Sequence, residues 1–480
     1  MRKLVAITVL IGGLWSARAQ NGEAAVWDPA ELEGLLHRFA EVYSAVEENA
    51  ADPVNSFQAI YGGAIPGMLK RLDPHSIFFD PEQFEQLKRL QTATQKGFGS
   101  VVSILPGRVF VLQTLPGTPS ARAGMQPGDE ILAINGIALD RLSIEQLVAL
   151  LMESRKRPVR LDIRRPGSAK LVRVTMEPAT MKSESVDLAF ELKPGVGYVR
   201  VKDFESDTGR KVKEAIEKLG GGKLRGLVLD LRGNRGGIMA AALETAALFL
   251  EPGSVIVSVR GRSTKREELK VPDDARPYDF KIVVLVDEES ASGAEIVAAA
   301  LQDHGRAKVV GAPTFGKGLV QQVYPLSDNT GLALTTAYYF TPNGRSIQRP
   351  LNVGQLKGGE GPGGIQPDYV VYPDPLSRLR IYLEASGAFP TFAGEVVAKL
   401  RPVKPDFEVS NALLDEFQGW LIERRVQPTV AEWSTEREWI RSRLRQEIFN
   451  LALGVKAGDR IEIERDPRVR KALEILAGGG

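Results

Sequence analysis

The chain has 480 residues, a net charge of +2 at pH 7 and an apolar content of 43%. This length leaves room for about three domains of roughly 150 residues each, and the near-neutral charge gives no attraction to nucleic acid or to an anionic membrane. Because the chain contains no cysteine, disulfides, thiolate metal sites, cysteine nucleophiles and a lipid anchor on cysteine are excluded.

The N-terminus has the pattern of a secretory signal peptide, which we place at residues 1–19. A basic start (residues 2–3) precedes an apolar stretch (residues 4–15), and Ala17-Arg18-Ala19 is a small-x-small cleavage pattern. An uncleaved membrane anchor is the alternative, but the stretch is short for a bilayer span. We therefore expect an exported protein, periplasmic or otherwise extracytoplasmic.

Residues 20–95 are predicted to form an N-terminal helical region. Asp28-Pro29 is a plausible helix start. Apolar residues then recur at helical spacing, at positions Leu32, Leu35, Leu36, Phe39 and Val42.

Residues 96–180 change to strand-like alternation broken by glycine turns. The segment from Gly97 to Ser100 and the run Pro127 to Gly136 resemble a PDZ domain. The resemblance implies that the loop Gly97, Phe98 and Gly99 donates backbone N–H groups to the C-terminal carboxylate of a peptide, which adds as an extra strand. It also implies that Phe98 lines the pocket for the last side chain. A small β domain with an ordinary glycine turn is the alternative.

Residues 181–375 alternate between strand-like and helix-like patterns, which favours α/β layering. The strand-like runs are Gly197–Val201, Leu227–Leu231 and Ile282–Val286, and the helix-like runs are Val212–Leu219, Met239–Leu250 and Ala294–Gln302.

Residues 376–480 return to a helical pattern. Its candidate core residues are Trp420, Leu421, Trp439, Ile440 and Leu444. The helical regions at both ends of the chain are candidate surfaces for a homo-oligomer, and a regulatory adaptor is a further candidate partner.

A serine at a strand-to-helix turn is the candidate nucleophile. Ser292 lies between the strand-like run Ile282–Val286 and the helix-like run Ala294–Gln302. That place presents a hydroxyl where helix N–H groups point at the same substrate carbonyl. A helix N-cap is the alternative role for Ser292, and Ser290 is the rival nucleophile.

Lys317 is the candidate general base, provided that burial keeps its amine neutral. The three histidines, His37, His75 and His304, do not lie in a pattern typical of a Ser-His-Asp triad. Residues 311–317 also match most of a phosphate-binding loop, but Gly318 stands where a magnesium-binding Ser or Thr is needed. A strand-like run rather than a helix follows, so we reject nucleotide binding.

Together, these segments resemble the C-terminal processing peptidases, or tail-specific proteases, with Ser292 and Lys317 as their Ser-Lys dyad. Three further segments support the resemblance: Gly226–Gly237, Phe340–Ser346 and Leu72–Ser76. The family pattern places the nucleophile three residues before a Glu-Ile pair, which selects Ser292 over Ser290. The chain departs mildly from the family at Gly293 and Ala294, where a small residue and then serine are usual.

The resemblance implies that Gln321 hydrogen-bonds Lys317 and orients it. The Gly293 N–H, next to the nucleophile, is a natural donor to the oxyanion. A second donor is expected from the Gly236-Gly237 turn, where we favour Gly237. No metal or organic cofactor is expected.

We therefore predict a multidomain α+β protein with an α/β protease core of the C-terminal processing peptidase type in residues 181–375. A PDZ domain in residues 96–180 is inserted before the core, and helical regions lie at both ends. The predicted function is that of a secreted serine endopeptidase that binds the C-terminal tails of protein or peptide substrates. A catalytically silent peptide-binding protein on the same scaffold is the alternative.

Overall fold

The computed structural model describes residues 29–92, 96–168, 170–181, 184–262, 265–350, 362–400 and 402–478. The predicted signal peptide lies outside the described residues. The chain forms two compact units, and each unit is built from two separate stretches of sequence. The described residues of unit 1 fall within 29–92 and 185–370, and those of unit 2 within 96–184 and 371–478.

The described residues form both helices and strands, which confirms the predicted α+β class. The helices are α1 (Pro29–Asn49), α2 (Ile65–Lys70), α3 (Pro81–Thr92), α4 (Pro119–Arg122), α5 (Ile144–Ser154), α6 (Thr208–Lys218), α7 (Met239–Ala247), α8 (Gly293–Asp303), α9 (Arg378–Ala385), α10 (Ala388–Leu400), α11 (Asn411–Glu423), α12 (Val430–Ala452), α13 (Val455–Arg465) and α14 (Pro467–Ala477). The π-helix Gln58–Ala64 precedes α2, and the 3₁₀ turn Gly221–Lys223 follows α6.

The strands are β1 (Ile77–Phe79), β2 (Lys96–Gly97), β3 (Ser100–Leu105), β4 (Arg108–Thr114), β5 (Glu130–Ile134), β6 (Ile137–Ala138), β7 (Val159–Arg164), β8 (Val172–Met176), β9 (Ala179–Thr180), β10 (Val186–Lys193), β11 (Val196–Val201), β12 (Gly226–Asp230), β13 (Val255–Arg260), β14 (Glu267–Lys270), β15 (Lys281–Val286), β16 (Ala307–Gly311), β17 (Leu319–Pro325), β18 (Gly331–Phe340) and β19 (Tyr369–Val370).

The centre of unit 1 is a six-stranded sheet in the order β10-β11-β12-β15-β16-β19. Its strands are parallel except for β10, which pairs antiparallel with β11. The strand predictions at β11, β12 and β15 are confirmed. Their continuous apolar runs are typical of parallel strands that are covered on both faces, and Leu229, Val284 and Val309 are fully buried among the residues of α6, α7 and α8.

A second sheet of unit 1 is antiparallel, in the order β1-β18-β13-β14, with β17 also pairing with β18. Here the prediction that residues 20–95 are helical is wrong in part. Ile77–Phe79 is a strand that pairs with β18, with Ile77 opposite Ala333. Three residues are too few to show a period of their own, and their strand state comes from the pairing partner.

Helix α1 confirms the predicted helical spacing near the N-terminus. Its apolar residues, however, do not pack into a core of the described chain: five of them are exposed, at Leu32, Leu35, Leu36, Phe39 and Val42. Val46, one turn further along, is exposed as well. We call Leu32, Leu35, Phe39, Val42 and Val46 the α1 stripe.

In unit 2, the described strands between residues 100 and 176 form an antiparallel sheet in the order β3-β4-β5-β7-β8, with β6 beside β5. Its apolar core is closed by α5, which begins with a capping box between Ser143 and Gln146. The short pair of β2 and β9 joins the two ends of this segment.

The rest of unit 2 is helical, as predicted for residues 376–480. Leu421, Ile440 and Leu444 are fully buried in its core, and Trp420 and Trp439 pack against that core. Among the residues described, no helix combines the length and the apolarity that a bilayer crossing requires.

Strand β4 joins the two parts of unit 2. The Arg108 guanidinium donates to the Glu130 carboxylate at 2.7 Å, to the Ser386 carbonyl at 3.3 Å and to the Thr391 hydroxyl at 3.3 Å. Leu112 packs on the helical core. The Gln113 side-chain carbonyl accepts the N–H of Val455 at the start of α13, at 3.0 Å. The C-terminal helices therefore hold the sheet of unit 2 in part through β4.

Candidate active site

Ser292 lies between the end of β15 and the first turn of α8, as the sequence predicts. Its backbone has φ +55° and ψ −113°, a strained conformation for a residue with a side chain. The residues of α8 from Gly293 to Leu301 are buried. The helix that follows this turn is therefore packed on all its faces, which restricts movement of the turn. The side chain of Ser292 itself is only half-buried and can meet a substrate.

Ser290 is in a different situation. It is fully buried, and its hydroxyl donates to the carbonyl of Leu231 at 2.8 Å. The same oxygen accepts the N–H of Asp287 at 3.0 Å. Both functions of the hydroxyl are therefore occupied in holding the turn, which leaves Ser292 as the accessible serine of the pair.

Glu295 connects the serine turn to the lysine loop. Its Oε2 accepts the backbone N–H of Ser292 at 2.8 Å and that of Lys317 at 2.8 Å. Its Oε1 accepts the Thr314 hydroxyl at 2.5 Å and the Gly316 N–H at 2.7 Å. The side chain is 0% exposed. Burial raises its pKa, whereas these four donors favour the carboxylate.

Lys317 lies in a loop held by close backbone contacts. A Cβ on Gly316 would come within 2.7 Å of the Arg349 Cβ, and one on Gly318 within 2.4 Å of the Gln348 nitrogen. This is why glycine flanks the lysine on both sides. Burial lowers the pKa of the Lys317 amine, and the charge of Glu295 opposes that effect. The neutral amine needed in a general base is thus favoured by the site's desolvation.

The N-terminal segment Leu72–Ser76 also reaches this site. Asp73 is buried, and its carboxylate accepts the N–H groups of His75 at 2.7 Å and Ser76 at 2.8 Å. The resulting turn brings His75 close enough to Lys317 for their charges to interact. Desolvation lowers the pKa of His75, Asp73 raises it, and Lys317 lowers it further.

Gln321 lies on β17, four residues after Lys317. Its Nε2 donates to the backbone carbonyl of His75 at 2.8 Å. The side chain is therefore anchored by a residue far away in the sequence. No spacing pattern in the sequence revealed this contact. The hydrogen bond predicted between Gln321 and Lys317 stays a prediction.

The glycine turn after β12 lies against the serine. A Cβ on Gly236 would be 2.8 Å from the Ser292 Cβ and 3.0 Å from the Gly293 nitrogen. The Gly236 N–H donates to the Asn234 side chain at 2.8 Å. In contrast, the N–H groups of Gly237 and Gly293 donate to no residue in the part of the chain that the structure describes. This difference favours Gly237 over Gly236 as a donor.

The ion pair beside this turn supports it. Asp230 is buried at the end of β12, where it accepts the Tyr198 hydroxyl at 2.5 Å and two nitrogens of Arg232. Although burial alone would raise the pKa of Asp230, the Arg232 guanidinium holds it below its ordinary value. Both residues lie where the turn begins, so their ion pair has a structural role there.

Unit 2 contains a groove between β3 and α5, with a volume of about 340 Å³. The predicted peptide-binding residues Gly97, Phe98 and Gly99 line it. The N–H groups of Phe98 and Gly99 donate to no other residue among those described. Gly99 has φ +78°, and a Cβ there would overlap the Thr118 side chain, so the loop requires glycine at this position.

Two residues that organise the site were not among the predicted site residues. Glu295 could have been found from the sequence, because Ser-x-x-Glu at the start of a helix is a capping-box pattern. Asn234 is fully buried, donates to the Val201 carbonyl at 2.9 Å and fixes the Gly236 amide. Its role depends on strand neighbours that a linear pattern does not show.

Comparison with known proteins gives two family matches. The model of peptidase family S41 matches residues 195–371, and that of the PDZ domain matches residues 110–165. The carboxy-terminal-processing protease of Bartonella bacilliformis is 35% identical over 65% of this chain and 72% of its own length. The corresponding Synechocystis protease is 35% identical, over 64% and 70%. The Bacillus subtilis carboxy-terminal processing protease CtpA is 29% identical over 72% of each chain.

Proposed function

Since this chain belongs to peptidase family S41 and is therefore a serine-type peptidase, we propose that Ser292 is its nucleophile and Lys317 its general base. The observation that carries the proposal is the position of Glu295. One oxygen of this buried carboxylate accepts the backbone N–H groups of both residues at 2.8 Å. Because one oxygen binds both backbones, it restrains the distance between the residues that carry the proposed nucleophile and the proposed base.

The reaction follows from these roles. The neutral Lys317 amine takes the proton of the Ser292 hydroxyl as its oxygen attacks the substrate's carbonyl carbon. The ammonium then gives this proton to the departing amine as the peptide bond breaks. Water hydrolyses the resulting ester with Lys317 as base again, and Ser292 is released. The half-burial of Lys317 supports this assignment, because desolvation favours the unprotonated amine.

The oxyanion formed during the attack needs donors aimed at it in advance. We assign this role to the N–H groups of Gly237 and Gly293. Both groups are without another acceptor among the described residues, whereas the Gly236 N–H is engaged by Asn234. The close approach of Gly236 to Ser292 supports the same assignment, because it brings the turn beside the attacking oxygen.

Gln321 is assigned a positioning role. Its Nε2 is held by the His75 carbonyl, and its Oε1 is the remaining acceptor of the amide. A hydrogen bond from Lys317 to this oxygen would orient the amine toward Ser292.

The groove of unit 2 is assigned to the C-terminal tail of the substrate. The N–H groups of Phe98 and Gly99 would bind its terminal carboxylate, and the tail would pair with β3. The enzyme would thus capture unstructured C-terminal ends and cleave the same polypeptide. Export of the protein is proposed from the signal-peptide pattern at residues 1–19.

Self-association is proposed through the α1 stripe. Its residues follow spacings of three and four, which is the pattern of helices that pair along one apolar seam. All five side chains are exposed, and apolar patches of this kind mark interaction surfaces. Replacing Leu35 and Phe39 with Asp should shift the sedimentation of the full chain toward the monomer.

A regulatory adaptor is proposed for the C-terminal helices, where Ile381 and Tyr382 are exposed.

The test of the proposed function is cleavage of a reporter peptide with a free apolar C-terminus. Ser292→Ala and Lys317→Ala should each abolish turnover to about the same extent, because residues that act as one unit do not contribute additively. Amidating the peptide should slow cleavage at limiting substrate by the unchanged enzyme. Near-normal turnover by Lys317→Ala would overturn the dyad. Equal cleavage of free and amidated peptides by the intact enzyme would overturn tail reading.

A further inference from the structure

The groove of unit 2 is rich in methionine. Of the seven methionines in the chain, four line this groove, at Met125, Met152, Met176 and Met181. They come from the loop before β5, from α5, from the end of β8 and from the residue after β9. Because separate parts of the fold supply them, their clustering is a property of the folded groove.

The four methionines differ in their access to solvent. Met125 and Met176 are buried beneath the groove. Met152 is 60% exposed at its edge, and Met181 is partly exposed. Oxidation by a dissolved oxidant follows exposure. Met125 and Met176 are therefore protected from it, whereas Met152 and Met181 are accessible.

Met181 also lies beside the loop assigned to the tail's carboxylate. Its Cγ is only 3.0 Å from the place that a Cβ on Gly97 would occupy. A polar atom added at the sulfur of Met181 is therefore introduced beside Gly97, the first residue of the loop whose Phe98 and Gly99 N–H groups have no other acceptor among the described residues.

We propose that Met152 and Met181 are oxidation sites through which a peroxide releases the C-terminal tail from this groove. This inference rests on the proposed function, since it takes the groove as the tail reader. In each oxidation the thioether sulfur attacks one peroxide oxygen, and the O–O bond breaks as an S=O bond forms. The sulfur loses two electrons, and the peroxide is reduced to water or an alcohol.

Each sulfoxide would weaken tail binding for its own reason. At Met152 it places a polar group on the apolar edge of the groove, where a bound tail would bury it without a hydrogen-bond partner. At Met181 the sulfoxide oxygen is an acceptor that competes with the tail's carboxylate for the loop's N–H groups. We expect the two modifications together to weaken tail binding about tenfold or more.

The experiment measures binding of a fluorescent peptide with a free apolar C-terminus to the full-length Ser292→Ala protein by anisotropy. Binding is compared before hydrogen peroxide treatment, after it, and after repair by methionine sulfoxide reductases. The matched control is Met68→Leu, since Met68 is 61% exposed but lies on α2 in unit 1. Met152→Leu/Met181→Leu conserves volume in the groove, and each variant is compared with its own untreated form.

We expect peroxide to weaken binding by the parent and by Met68→Leu, repair to restore it, and the double variant to be protected. Mass spectrometry should find sulfoxide at Met152 and Met181 before Met125 and Met176. The inference is overturned if those two residues stay unoxidised, if the oxidised parent binds as before, or if the double variant loses binding equally. If the untreated protein binds free and amidated peptides equally, tail reading itself is overturned, and this inference with it.

Discussion

The Oε2 atom of Glu295 accepts the backbone N–H of Lys317 at 2.8 Å, from a side chain that is completely buried. The bond links the first turn of α8 to the loop that carries the proposed base, across a separation of 22 residues. Since the same oxygen also accepts the N–H of Ser292, the geometry of the proposed dyad depends on a residue to which we assign no step of the reaction.

Glu295→Gln should therefore lower both stability and turnover. An amide NH₂ would face backbone donors and leave at least one of them unsatisfied, at a cost of about 1–3 kcal/mol in the free energy of unfolding. A displacement of about 1 Å between nucleophile and base can cost about 100-fold in kcat. Urea unfolding and peptide cleavage measure the two effects. Glu288→Gln, at an exposed position nearby, is the control, and wild-type kcat in Glu295→Gln would contradict the bridging role.

The pH dependence of cleavage should show one ionisation, that of the Lys317 amine. Lysine ordinarily titrates near about 10.4, and burial lowers the pKa of Lys317. Activity should rise with pH as the neutral amine forms and level off below that ordinary value. His75 is the histidine to test, since its charge interacts with Lys317. The profile should persist in His75→Gln, because the ionisation is that of Lys317. If the ionisation disappears with His75, the base is a histidine.

The same burial predicts that Lys317 destabilises the protein at neutral pH. Its pKa is lower in the folded chain than in the unfolded chain, so the unfolded chain binds more protons between the two values. The contribution of Lys317 to the free energy of unfolding therefore rises with pH across that window and is unfavourable below it. Lys317→Met should be more stable than the parent at pH 7, with a smaller difference near pH 10. Urea titrations at both pH values measure this, and equal differences would contradict it.

Gly236→Ala should abolish most activity. The added Cβ would lie 2.8 Å from the Ser292 Cβ and 3.0 Å from the Gly293 nitrogen, so it must displace the proposed nucleophile or the proposed oxyanion donor. Gly233→Ala is the matched control, because Gly233 has φ +67° in the same turn but no atom within 4 Å of the added Cβ. The control should lose about 1 kcal/mol of stability and keep its kcat. Similar kcat values in the two variants would contradict the proposed close fit.

Arg108→Ala should loosen the attachment between the two parts of unit 2. It removes hydrogen bonds to Ser386 and Thr391 and leaves the buried Glu130 with Arg164 alone. The free energy of unfolding should fall by about 1–3 kcal/mol, and hydrogen exchange in α9 and α10 should become faster. Arg164→Ala is the control, since Arg164 also pairs with Glu130 but is largely exposed. Equal exchange in both variants would show that Arg108 does not hold the helices.

Much of unit 1 could be predicted because its parallel strands are continuous apolar runs. The sequence runs also placed Ser292 between a strand and a helix, and Lys317 before a strand. The structure likewise has Ser292 between β15 and α8, and Lys317 in the loop before β17. The strand Ile77–Phe79 was missed because its state depends on pairing with β18. The partner of Gln321 could not be predicted either, since His75 is 246 residues away and the contact exists only once the antiparallel sheet has formed.

The attachment of β4 to the C-terminal helices has a consequence for biosynthesis. Residues 96–184 leave the ribosome well before residues 378–478, and domains generally fold in the order of their synthesis. Until translation ends, the face that carries Arg108 and Leu112 has no helices to cover it. A nascent or truncated chain would therefore expose an apolar surface that the finished chain covers. The C-terminal helices therefore cover a surface of a segment that is synthesised before them, and chains that terminate before these helices should be cleaved more readily by proteases.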